Sequence, residues 1–167
     1  MPNPSRCTLW MYTFKDGVLS AIAHDLKLGC PSPSVVFDGA SVQCDIDPRS
    51  LFVEGTMHHG RCAPDGLTDR DKGRIQRTIQ KEILCVSHYN RIRFQGQLSD
   101  SIVSGRLEIR GQERDIKFGV SRRDTTYTGR VEIRPSRWGI QPYKAFMGAI
   151  KLKDRVLIEW SYEWSDD

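Results

Sequence analysis

The sequence predicts an all-β protein with one main helix, and three observations carry that expectation. From Tyr89 onward apolar and polar residues alternate with period two, as in Leu107 and Ile109 against Arg106, Glu108 and Arg110. Short turn signals, among them Asp16-Gly17 and Asp38-Gly39, divide the chain into strand-length pieces. A single window, carrying Ile75, Ile79 and Ile83, has helical spacing instead.

The elements follow in order. Residues 8–14 (Thr-Leu-Trp-Met-Tyr-Thr-Phe) are β-formers without a helical stripe, and Asp16-Gly17 turns the chain back. The return strand sets Val18, Ser20, Ile22, His24, Leu26 and Leu28 on one face, until Pro31 and Pro33 end the ladder. Strands are read at 34–38, 41–46 and 50–55, and residues 57–67 read as a loop dense in turn formers. The helix is expected over 71–84. Thr68 is its N-cap, with Asp71 three residues on as an acidic capping box. Ile75, Ile79, Ile83 and Leu84 face inward, and Arg74, Arg77 and Lys81 face water. Beyond it, Ile92 and Phe94, Leu107 and Ile109, Ile116 and Phe118, and Val131 and Ile133 each mark an apolar face. Gly111-Gln112 is read as a turn, and Val156, Ile158, Trp160, Tyr162 and Trp164 share one face at the end. Such a meander can pack as a sandwich or close into a barrel, and composition does not separate the two.

A chain of 167 residues is expected to be one domain, residues 1–167, with a core of its own. Its 25 basic and 21 acidic residues are interspersed, so no phosphate-tracking stripe emerges and no nucleic-acid partner is expected. No apolar run is long enough to span a bilayer as a helix, and no secretory signal is visible, so a cytoplasmic, non-integral protein is expected. The five cysteines are odd in number and form no C-x-x-C pair, which makes them free thiols in a reducing compartment, with Cys44 and Cys85 as buried filler.

Few residues invite chemistry. His58, His59 and Cys62 could offer metal ligands, but adjacent strand residues point to opposite faces and no fourth ligand appears, so no metal site and no cofactor are expected. No nucleophile elbow, phosphate loop or zinc-protease motif occurs, so no enzyme and no catalytic residues are expected. His24 lies on an apolar face. It is either a hydrogen-bonded core histidine or a polar contact for a ligand head group.

The segment Val103–Phe118 resembles the G-x-L-x-I-R-G-x-x-R-x-I-x-F hairpin of the YceI-like family. Asp71-Lys72, Ile75, Ile79, Leu84, Tyr89 and Ile92-x-Phe94 are similar to its helix and the following strand. Pro135–Ile140 resembles its aromatic-Gly-Ile turn, Lys151–Glu159 its closing strand, and Ala23–Leu26 its His-containing second strand. Asn90 departs from the family's proline after the helix-exit tyrosine. The resemblance implies an extended antiparallel eight-stranded lipocalin-like barrel holding a polyisoprenoid or related lipid. The expected wall is Ile22, His24, Leu26, Phe94, Leu107, Ile109, Ile116, Phe118, Val131, Ile133, Val156 and Ile158. The expected partner is thus a hydrophobic small molecule, alongside a possible homodimer. The alternative is a filled barrel acting as an interaction module through the 57–67 loop and the Trp160, Tyr162 and Trp164 face.

Overall fold

The structure, a computed structural model, describes residues 6–17 and 24–164. Its strands are β1 (Arg6–Lys15), β2 (Asp25–Cys30), β3 (Ser34–Asp38), β4 (Ser41–Ile46), β5 (Phe52–His58), β6 (Arg61–Ala63), β7 (Ile92–Ser99), β8 (Ile102–Ile109), β9 (Gln112–Arg123), β10 (Thr126–Ile133), β11 (Lys144–Ala145) and β12 (Ile150–Glu163). The helix α1 (Asp69–Thr78) sits between β6 and β7 and widens into a π turn over Ile79–Ile83. One antiparallel path runs β3-β4-β7-β8-β9-β10-β12-β1-β2-β5-β6, with β11 paired to β12 off the path.

The sheet curls into a lipocalin-like half-barrel, so the expected count of eight strands is corrected. Strand number is tied to closure only when a barrel closes edge to edge. Here β3 and β6 are the two edges among the described residues, and short edge strands extend the sheet freely. The expected loop at 57–67 is corrected too. Met57 and His58 complete β5, the chain turns at His59-Gly60 with φ of 48° and 77°, and Arg61–Ala63 returns as β6. The turn read at Gly111-Gln112 sits one residue earlier, at Arg110-Gly111, and Gln112 opens β9.

The helix spans the open side. Thr68 caps it as expected: its Oγ1 accepts from the Asp71 N–H at 3.1 Å and donates to the Asp71 carboxylate at 2.8 Å. Ile75 and Ile79 pack on Leu26, Leu28 and Val53 of β2 and β5. Ile83 and Leu84 pack on the cluster of Val42, Phe94, Leu107 and Ile109 contributed by β4, β7 and β8. The stripe therefore bridges the two sides of the curl. Arg110 Nη1 donates to the Ile83 carbonyl at 3.3 Å and satisfies a carbonyl at the helix exit.

A second device seals the wall. β9 pairs with β10 only from Val120 to Arg123, and below that the two strands diverge. The turn Pro135–Trp138 packs against β9 there, and Trp138 is 1% exposed, its Nε1 donating to the Leu107 carbonyl at 2.8 Å. Gly139 follows at φ 73°, a left-handed position that turns Ile140 back into the core.

Candidate functional site

The curled sheet and α1 enclose a cavity of about 670 Å³, within the range of small-molecule sites. Period two builds its wall. On β1 the inward residues are Cys7, Leu9, Met11 and Thr13, and on β12 they are Ile150, Leu152, Val156, Ile158, Trp160 and Tyr162. Six residue steps from Cys7 to Thr13 give a length of roughly 20 Å along the strand. Gly96 and Gly105, paired across β7 and β8, leave the space that the Phe94 ring occupies.

The two ends differ. At the Cys7 end, aromatic rings form a plug: Phe37 lies 4.8 Å from Tyr162, 6.0 Å from Tyr127 and 6.3 Å from Trp164. At the Thr13 end, His24, Asp71, Arg74, Tyr143 and Phe146 form the rim, where polar groups gather. Between the ends the lining is overwhelmingly aliphatic and aromatic. Two buried polar atoms, Thr13 Oγ1 and Trp160 Nε1, lack a hydrogen-bond partner among the described residues. Each could pair with a polar atom of an occupant.

The thiols at the plugged end behave as apolar wall. Burial pushes the Cys44 thiol up to about 12, reinforced by Cys7, Cys30 and Asp45, and the Cys7 thiol up to about 11, reinforced by Cys30. Burial also raises Cys30, whose Sγ lies 3.8 Å from Ser50 Oγ. A thiol held protonated is a poor nucleophile. All five cysteines are free. Cys44 is half-buried on the cavity wall, whereas Cys85, expected as buried filler, is half-buried in the turn after the helix at φ 50°.

Of the wall expected from the sequence, His24, Leu26, Phe94, Leu107, Ile109, Ile116, Phe118, Val131, Ile133, Val156 and Ile158 all line this one cavity, and Ile22 lies outside the described residues. The sequence reading missed the helical stripe, the β1 residues and the β12 aromatics as parts of the wall. The helix had a usable signal, since its four-residue isoleucine spacing marks an inward face. β1 had none: its outward face carries Trp10, Tyr12 and Phe14, so both faces read as apolar. Outside, Lys27 sits 3.9 Å over the Trp10 ring and Arg155 4.3 Å over Phe14. The expected Trp160, Tyr162 and Trp164 contact face is also corrected: Trp160 and Tyr162 point into the cavity, and Tyr162 is 4% exposed.

His58 Nε2 meets Thr56 Oγ1 at 3.0 Å, and His59 forms the hairpin turn. Among the described residues no cluster of His, Cys, Asp and Glu could hold a metal ion. No helix is long and apolar enough to cross a membrane among the described residues.

Solved structures share this architecture. BcnA of Burkholderia cenocepacia is 17% identical with a TM-score of 0.60, covering 93% of this chain and 94% of its own. A polyisoprenoid binding domain from Saccharophagus degradans, implicated in plant cell wall breakdown, is 13% identical with a TM-score of 0.57, covering 94% and 93%. A YceI protein of Campylobacter jejuni is 13% identical with a TM-score of 0.52, covering 81% of each chain. At such identity these likenesses speak to the fold alone. No curated protein matches the chain. The family model for the YceI-like domain matches residues 22–164, from just before His24 through the last strand and the aromatic plug, and the chain belongs to the YceI-like family.

Proposed function

We infer that the protein is a non-catalytic carrier or store for one long apolar lipid, of isoprenoid or fatty-acyl type, held lengthwise in the cavity. The observation that carries this reading is a hollow interior, about 670 Å³, whose long wall is apolar and whose polar groups collect at one end. A chain inside would gain about 0.8 kcal/mol for each methylene removed from water, so length and shape suffice for affinity. Hydrophobic walls discriminate weakly, so several related chains would be accepted. The head group would sit at the rim with His24, Arg74 and Tyr143, and the tail would reach toward the aromatic plug. A polyisoprenoid binding domain among the structures of the same fold supports the choice of ligand class.

Native mass spectrometry tests the reading. Gently extracted protein is expected to carry an extra mass that denaturation releases, and delipidated protein is expected to take up a fluorescent isoprenoid or fatty-acid probe. A clean apo mass together with no probe uptake would sink the proposal. Phe118→Glu places a charge on the wall and is expected to abolish uptake, whereas Lys117→Ala on the outer face leaves it unchanged. Equal effects from both would contradict the inward assignment.

A further inference from the structure

We propose that the exposed tip at Phe146-Met147 docks the cavity mouth onto an anionic bilayer surface, where the lipid is collected or delivered. The proposal rests on the lipid-carrier reading and adds to it the place of exchange.

Phe146 is 70% exposed and Met147 fully so at 107%, and the exposed Gly148 and Ala149 continue the apolar run. Isolated exposed apolar residues are ordinary, but a contiguous run at a cavity rim is not. Phe146 also lines the cavity, so the tip and the mouth are one surface. Both residues hold positive φ, 50° and 55°, a region that bulky L residues rarely adopt.

The charges beside the tip suit the same partner. Lys144 and Lys151 lie directly opposite each other in the β11–β12 pair, a placement that repels unless an anion intervenes. Lys151 has Asp16 at 3.1 Å, while Lys144 makes no ion pair among the described residues. Lys153 and Arg74 are also exposed nearby. Of the acids at this end, Asp16 pairs with Lys151, while Asp25 accepts from the Lys15 N–H, Asp154 from Ser136 and Asp71 from Thr68, bonds that fix these carboxylates in place without neutralising them. Phe and Met would enter the acyl boundary as the lysines meet lipid phosphates, which is how a surface loop anchors without spanning. A lipid moving from bilayer to cavity then avoids crossing water.

Co-sedimentation with phosphatidylcholine vesicles, with and without phosphatidylglycerol, tests the surface. The wild type is expected to sediment with the anionic vesicles and far less with the neutral ones. Met147→Asp is expected to weaken that association by about tenfold or more, and Lys144→Glu by about fivefold or more, with the melting temperature unchanged. Both variants are expected to take up a soluble fluorescent fatty acid as the wild type does, since neither residue lines the cavity. Vesicle binding unchanged by both variants would overturn the proposal, as would no preference for anionic vesicles. A shift in oligomeric state on Met147→Asp without a change in vesicle binding would overturn it too, and would assign the tip to a second copy. Vesicle binding by a chain that takes up no soluble probe would support the surface and overturn the carrier reading instead.

Discussion

The Phe118→Glu and Lys117→Ala substitutions, one residue apart on β9, are expected to differ, one abolishing uptake and the other leaving it unchanged, because side-chain direction on a strand reverses at every step. The same geometry makes the cysteines informative. Cys7 and Cys44 are half-buried against apolar wall, and their folded thiols ionise well above the ordinary value of 9.0. Above pH 9 the unfolded chain therefore releases protons that the folded chain retains, and stability falls as pH rises from about 9 to about 12. Below pH 9 these groups contribute full stability. Cys44→Val removes the more strongly shifted group, so thermal melts across that range are expected to show a shallower alkaline decline than the wild type. His24 is the other telling residue. It stands at the rim, and the core-histidine and head-group readings expect opposite results from one variant. His24→Phe is expected to leave melting unchanged and to weaken polar-headed ligands several-fold against plain hydrocarbons. One lost hydrogen bond costs about 0.5–1.5 kcal/mol. A drop in melting temperature with ligand preference intact would assign it a structural role instead.

Two elements hold the interior open, the helix across the sheet edges and the Trp138 turn between β9 and β10. Each was visible in the sequence as a motif, but neither showed what it covers. Thr68→Ala removes the N-cap hydrogen bond and is expected to cost about 0.5–2 kcal/mol in urea titration. Because α1 supplies wall as well as stability, the same variant is expected to release bound probe at lower denaturant than the wild type. Trp138→Phe keeps most of the volume but removes the indole N–H bond to the Leu107 carbonyl, which keeps its ladder pairing with Arg114 on β9. Its expected cost is about 0.5–1.5 kcal/mol, from one lost hydrogen bond. Hydrogen exchange at Leu107 and Phe118 is expected to quicken in this variant, and protection equal to the wild type would contradict a sealing role for the turn.

Across the whole molecule, the apolar wall, the aromatic plug and the polar rim give the cavity a direction. An occupant with one polar end has one favourable orientation, tail toward Phe37 and Tyr162 and head toward His24 and Arg74. The exposed Phe146-Met147 tip stands at the head end. A ligand drawn tail-first from a bilayer would therefore enter in the orientation in which it is held. Circular dichroism should report strand with a minor helix, and binding of a long-chain probe should protect thiols at the plugged end. Thiol labelling measures this directly: Cys85, outside the cavity, should label at the same rate with and without probe, whereas Cys7 and Cys44 should slow.

The alternation of Ile116 and Phe118 with Lys117, the Thr68–Asp71 cap and the isoleucine spacing were sufficient by themselves for strand faces, helix and inward residues. These depend on neighbours a few positions apart, and local geometry follows from local spacing. The resemblance carried by Val103–Phe118 and the other family-like segments implied a lipocalin-like barrel, correct in form though not in strand count. Only tertiary structure decided the rest. Whether the apolar faces meet or stand apart depends on how far the sheet curls, and that is set by long-range pairing between β1 and β12 and by the helix bridging β5 to β7 and β8. The outward aromatics of β1 and the inward aromatics of β12 read alike in sequence, because an apolar side chain satisfies either a core or a stacked outer face. Tertiary contacts with Lys27, Arg155, Phe37 and Phe118 separated them, since only three-dimensional neighbours determine which surface is withdrawn from water.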